Sequence, residues 1–178
     1  MATHLALLRG VNVGGHAKIA MADLRRVFAD LGHNDVTTHI QSGNVLFTPS
    51  VDPSDLAESL ERGIARELGV TTTVLLRTKG DLDRIVRGNP LRGCDADPAK
   101  LHVAFLATPP DPRRVTGFEA PPGSTEEFAF ADREVFLYYP DGYGRTKLSN
   151  AYIERRLGVA ATTRNWRVVT KLRELMGD

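Results

Sequence analysis

The sequence predicts an α+β fold in which a βαββαβ unit with an antiparallel sheet occurs twice, followed by one extra carboxy-terminal helix. Three observations carry this. Short β-branched or apolar runs alternate with segments whose apolar residues recur every third or fourth position. That order appears once before residue 80 and again after residue 100. Finally, RELGVTTT (66–73) and RRLGVAAT (155–162) share Leu, Gly, Val and the closing Thr at the same point of each unit.

Residues 3–9 (THLALLR) form a strand-like run that enters a loop over 10–18, after which Met21, Leu24, Phe28 and Leu31 fall at helical spacing up to Gly32. Residues 35–40 and 44–48 read as two strands joined by Gln41-Ser42-Gly43, a hairpin. Asp52 is a candidate cap with Pro53 at the first helical position, and Leu56, Leu60, Ile64 and Leu68 recur until Gly69 stops the helix. The strand 71–78 closes the first unit, and a short helix over 81–87 ends at Gly88-Asn89-Pro90. The second unit reads as a strand over 101–107, a helical turn near 113–115, a hairpin of 126–131 with 134–139, a helix over 148–157 and a weak strand over 160–163. A last helix places Trp166, Val169, Leu172 and Met176 on one face. Two such units are ferredoxin-like halves. The predicted division is 1–78, a joint over 79–100, and 101–178. In this topology the first two strands run the same way, so the loop 10–18 should lie beside the turn 41–44.

At 178 residues, 42% apolar and 25% charged, the chain has an ordinary folded-protein composition. No run approaches the roughly 18 apolar residues of a membrane helix. Residues 5–8 end at Arg9 and make no secretory signal, so a cytoplasmic location is expected. The single cysteine, Cys94, forms no internal disulfide and has no evident activating base. The five histidines show no metal-ligand spacing, and no metal site is expected.

The net charge of +1 hides an asymmetry: residues 145–173 hold eight basic residues against one acid, Glu154. An anionic partner should meet this end, unless these residues are a solvated helix face with counter-charges elsewhere.

Two constellations stand out. The loop holding Arg9, Asn12, Gly14, Gly15, His16 and Lys18 joins a strand to a helix, where backbone N–H groups and the helix dipole attract anions. It is neither a Walker A loop nor a dinucleotide fingerprint, and its glycines could equally serve only to turn the chain. Beside it, Gln41, Ser42 and Asn44 bring more polar side chains than a hairpin needs, although Ser and Asn commonly cap local backbone groups. Near the other end, Arg145 and Lys147 lead into one helix, and Arg164 with Asn165 precede another. Arginine suits bidentate contacts to phosphate or carboxylate. Trp166 reads either as core or as a stacking face.

The segments LLRGVNVGG and THIQSGNVLF, with GYGRTKLSNAYIERRLG and TTRNWRVVTKL near the far end, closely resemble the uncharacterised bacterial domain-of-unknown-function family 1697. The resemblance spans almost the whole chain and implies no substrate, cofactor or catalytic residue. His39 stands where the family more usually has Tyr, and Val168 where it has Thr, so a ligand touching either position would differ.

The expected function is binding of a small phosphorylated or nucleotide-like anion, with no catalytic residue or cofactor assigned. The alternative is nucleic-acid binding by the basic carboxy-terminal region. The first strand lacks the aromatics an RRM-type sheet needs, and the third offers only Phe47. Arg164, with Arg145 and Lys147 as candidate partners, is expected to hold the anion at the start of the final helix, and replacement of Arg164 by Ala to change the fold's stability by no more than about 1 kcal/mol.

Overall fold

The computed structural model describes residues 1–15, 17–50, 52–93 and 97–177; His16 and Cys94, weighed above, lie outside the described residues. The elements are β1 (His4–Leu8), α1 (Met21–Asp30), β2 (Asn34–His39), β3 (Asn44–Thr48), α2 (Leu56–Leu68), β4 (Val74–Thr78) and α3 (Lys79–Gly88). They continue as β5 (Leu101–Leu106), α4 (Pro112–Thr116), β6 (Glu127–Phe130), β7 (Glu134–Tyr138), α5 (Asn150–Leu157), β8 (Ala161–Asn165) and α6 (Trp166–Leu175). The sheets have orders β2-β3-β1-β4 and β6-β7-β5-β8, antiparallel at every pairing. These are the two ferredoxin-like halves with a carboxy-terminal helix that the sequence predicts. Each four-stranded set is followed in sequence by a helix, α3 after β4 and α6 after β8.

The duplication extends to register. Leu5 pairs with Arg77 and Val103 with Arg164, while His4 faces Thr78 and His102 faces Asn165. Leu7 lies opposite Asn44 as Phe105 lies opposite Glu134. HLALL in β1 therefore superposes on HVAFL in β5.

By internal contacts the chain divides into two compact units, one of Met1–Arg84 with Leu172–Asp178 and one of Ile85–Lys171. In the first, alternate strand residues Ala6, Leu8, Val45, Phe47 and Val74 pack against Leu24, Val27 and Phe28 of α1 and Leu56, Leu60 and Ile64 of α2. The fourfold spacing of the α2 residues gives one continuous apolar face, and burying each contributes about 1.5–3 kcal/mol. In the second unit Ala104, Leu106, Val135 and Leu137 pack with Leu148 and with Ile153 and Leu157 of α5. Ser149 caps α5, its Oγ accepting the Tyr152 N–H at 3.2 Å.

The other face of each sheet is buried as well, with Leu5, Leu7, Leu46 and Leu75 in one and Val103, Phe105 and Phe136 in the other. Neither face is open for stacking bases, which removes sheet-face RNA recognition. Among the described residues no helix is long and apolar enough to cross a membrane.

Three local expectations are corrected. Residues Pro53–Asp55 form a 3₁₀ turn before α2, and Asp52 caps that turn by accepting the Ser54 N–H at 3.0 Å, leaving Asp55 at the helix N-cap. α3 begins at Lys79, straight out of β4, because the Asp81 carboxylate accepts both the N–H and the hydroxyl of Thr78, at 2.8 and 3.0 Å. β8 runs to Asn165 because β5 supplies partners as far as His102, so Arg164 is a strand residue rather than the opening of a helix.

Candidate small-ligand site

β1 and β2 are both antiparallel to β3, so their carboxyl ends meet at one end of the first sheet. The loop and the turn that follow them are joined there, as the topology predicts. The Leu8 N–H donates to the Gly43 carbonyl at 2.9 Å, and Asn12 Nδ2 donates to the Gln41 carbonyl at 2.7 Å. A Cβ on Gly43, whose φ is +73°, would stand 2.5 Å from Val11 Cγ2 and 2.9 Å from Leu8 Cβ, so only glycine permits this approach.

Asn12 shapes the loop. Its side chain donates to the Ile19 carbonyl at 3.0 Å and accepts the Ile19 N–H at 2.9 Å, while its own N–H reaches the Ala17 carbonyl at 3.1 Å. Gly10, Asn12, Gly14, Gly15 and Ala17 all take positive φ. Only Asn12 and Ala17 among these are not glycine, so the cost of a left-handed backbone falls on those two, and the bonds of Asn12 hold the loop in place. Its anchor is equally firm: the Arg9 N–H donates to the Thr73 carbonyl at 3.0 Å, and the Thr72 hydroxyl donates to the Arg9 carbonyl at 2.8 Å.

Asn12, Gly15, Lys18, Ile19, Ala20 and Gln41 line an open cavity of about 380 Å³. Lys18 is exposed at it, and a Cβ on Gly15 would meet nothing within 4 Å. Ala20, the N-cap of α1, offers no side-chain hydrogen bond to the first turn. The cavity therefore brings together a cation, an amide and an uncapped helix start.

Of the residues singled out in the sequence, Asn12, Lys18 and Gln41 line this cavity. Ser42 and Asn44 hold the turn: Asn44 is fully buried, and its Nδ2 donates to the His39 carbonyl at 3.0 Å and to Ser42 Oγ at 2.9 Å. Arg9 is exposed at the end of β1.

Arg145 and Lys147 line another cavity, of about 360 Å³, within the second unit. Glu126 and Asp141 share it. Both carboxylates tie down the surrounding loops, Glu126 accepting from the Thr146 hydroxyl at 2.5 Å and Asp141 from the Thr125 hydroxyl at 3.1 Å. The Thr146 bond also holds the Glu126 carboxyl below its ordinary pKa.

Arg164 is not among the residues lining that cavity. It is 8% exposed, and its guanidinium donates to Thr162 Oγ1 at 2.6 Å and to the Thr163 carbonyl at 3.0 Å. Burial lowers its pKa to about 10, opposed by nearby Tyr143. Asn165 caps α6 by accepting the Val168 N–H at 2.9 Å, and Trp166 is core at 5% exposure. The basic excess is also dispersed: Arg173 pairs with Asp83, Arg156 donates to the Gly117 carbonyl at 3.2 Å, and Arg155 lies over the Tyr152 ring at 5.4 Å.

The sequence reading missed Ile19 and Ala20 as cavity walls, because small and apolar residues carry no chemical signature. It also missed Arg77, 1% exposed and the counterpart of Arg164 in register. The parallel VLLRT and ATTRN of β4 and β8 held that signal. Among the described residues no three His, Cys, Asp or Glu side chains converge as a metal site.

Fold and site together define a duplicated α+β protein with a loop-built cavity at the end of its first sheet. The chain belongs to the family described as "Protein of unknown function (DUF1697)", whose model matches residues 1–136. No curated protein matches it. Among solved structures it is similar to the conserved bacterial protein SP0830 from Streptococcus pneumoniae, with 24% identity over 98% of each chain and a TM-score of 0.77. At that identity the likeness establishes the fold.

Proposed function

We propose that this protein is a cytoplasmic binder of a small phosphorylated or nucleotide-like anion, held in the cavity at the end of the first sheet. The observation that carries the reading is Asn12, left-handed and bonded through its side chain to Ile19 and Gln41, beside a cleft of about 380 Å³. Such volumes suit small ligands, and backbone strain concentrates where a binding surface must be preformed. Lys18 supplies the charge partner, the start of α1 its dipole, and the Gln41 side chain a donor for a ligand oxygen.

The cavity holding Arg145 and Lys147 gives weaker support, since Glu126 and Asp141 offset its charge. The nucleic-acid alternative is supported less again, because Arg155, Arg156, Arg164 and Arg173 are engaged within the chain.

Thermal-shift measurements with inorganic phosphate, pyrophosphate and nucleoside monophosphates at low salt test the reading. A binder of the native state raises the melting temperature with concentration. Lys18→Ala should weaken that binding about tenfold, the loss of one charge-assisted contact. No shift with any of these anions, or an unchanged response in Lys18→Ala, would refute it.

A further inference from the structure

Among the described residues, the large exposed hydrophobic side chains are Met1, Val13, Ile40, Tyr143 and Leu175. Two of them are sequence neighbours of residues that line the cavity. Val13 follows Asn12, and Ile40 precedes Gln41, the two residues joined by the 2.7 Å bond from Asn12 Nδ2 to the Gln41 carbonyl. Val13 is 63% exposed and Ile40 50%, and neither belongs to the cores of the two units.

Ile40 is unusual in a second way. Its φ is +51°, in the left-handed region where a β-branched residue is a genuine outlier. Glycine or asparagine would take this turn position with less strain, and Ile40 is absent from the packed cores of both units.

Resting on the anion reading, we infer that the ligand is amphipathic: its anionic group sits at Lys18, and an apolar or aromatic body lies against Val13 and Ile40. A free inorganic anion would use only half of this surface. A phosphate ester with a flat ring would use all of it. Covering two branched side chains that are now at least half exposed contributes on the order of tenfold or more in affinity. Val13 and Ile40 are therefore specificity-determining residues, selecting esters over the bare anion.

The test compares inorganic phosphate with phenyl phosphate by isothermal titration calorimetry. The parent protein should bind phenyl phosphate about tenfold more tightly. Ile40→Gly relieves the backbone while removing the apolar face, so it should melt close to the parent. In Ile40→Gly, and in the double variant with Val13→Ser, the preference should shrink to less than about threefold with phosphate affinity unchanged. Should the double variant fail to fold, Ile40→Gly alone decides. Equal binding of the two compounds by the parent, or an intact preference in Ile40→Gly, overturns this inference while the anion reading stands, provided Lys18→Ala weakens both compounds. If neither compound binds, both readings fall.

Discussion

Replacing Gly43 by Ala attacks the seam between the loop and the turn that builds the cavity. Two penalties apply. A left-handed φ of +73° costs an L-residue about 1–2 kcal/mol. The new methyl would also lie 2.5 Å from Val11 Cγ2 and 2.9 Å from Leu8 Cβ, in a core where both side chains are about 1% exposed. Overpacking of this kind costs about 1–3 kcal/mol, giving a total of about 2–5 kcal/mol against a typical stability of 5–15. Gly69 is the internal control: its φ is +66°, but an added Cβ would meet nothing within 4 Å. Gly69→Ala should lose only the backbone part. Urea unfolding of both variants, followed by circular dichroism, reads the difference as a shift in midpoint at unchanged slope. Equal destabilisation of the two within about 0.5 kcal/mol would refute the close approach of turn and loop.

Asn12→Gly keeps the left-handed φ but removes three side-chain bonds, so it should destabilise by about 2–3 kcal/mol in the same assay, and Asn12→Ala by more. Arg164→Ala, expected from sequence to be nearly neutral, should lose more than about 2 kcal/mol, because a buried guanidinium and its hydrogen bonds are removed. Burial holds His33, His102 and His4 below their ordinary pKa, so below about pH 6.5 the unfolded chain takes up protons that the folded one refuses. Stability should therefore fall as the pH drops from 7 to 5, and the denaturant midpoints of His33→Phe should show a shallower fall.

How much of this was legible in the sequence depends on which force set each feature. Elements built on periodic apolar residues, such as α2 with Leu56, Leu60 and Ile64, were readable because burial imposes a spacing. The meeting of loop and turn was readable because the topology compels it. Boundaries set by one local bond were not: Asp81 pulls the start of α3 back to Lys79, and Asp52 closes a 3₁₀ turn instead of capping α2. Arg164 was misplaced for a different reason. Charge suggested a surface site, whereas only the register against Val103 puts it on a buried sheet face. Asn12, Lys18 and Gln41 were anticipated at the cavity, yet nothing local in the sequence distinguished them from Ser42 and Asn44, whose hydrogen bonds serve the turn itself.

The assignment of Leu172–Asp178 to the same unit as Met1–Arg84 has a consequence for biosynthesis. Arg173 reaches Asp83, ninety residues upstream, and donates to the Gly177 carbonyl at 2.6 Å. A ribosome delivers Asp83 long before it delivers Arg173, so the first unit to emerge cannot be completed while its partners are still being translated. The second unit, Ile85–Lys171, is the one whose whole sequence is contiguous and free to fold as it is made. Loss of residues 172–177 would thus injure the unit that begins at Met1.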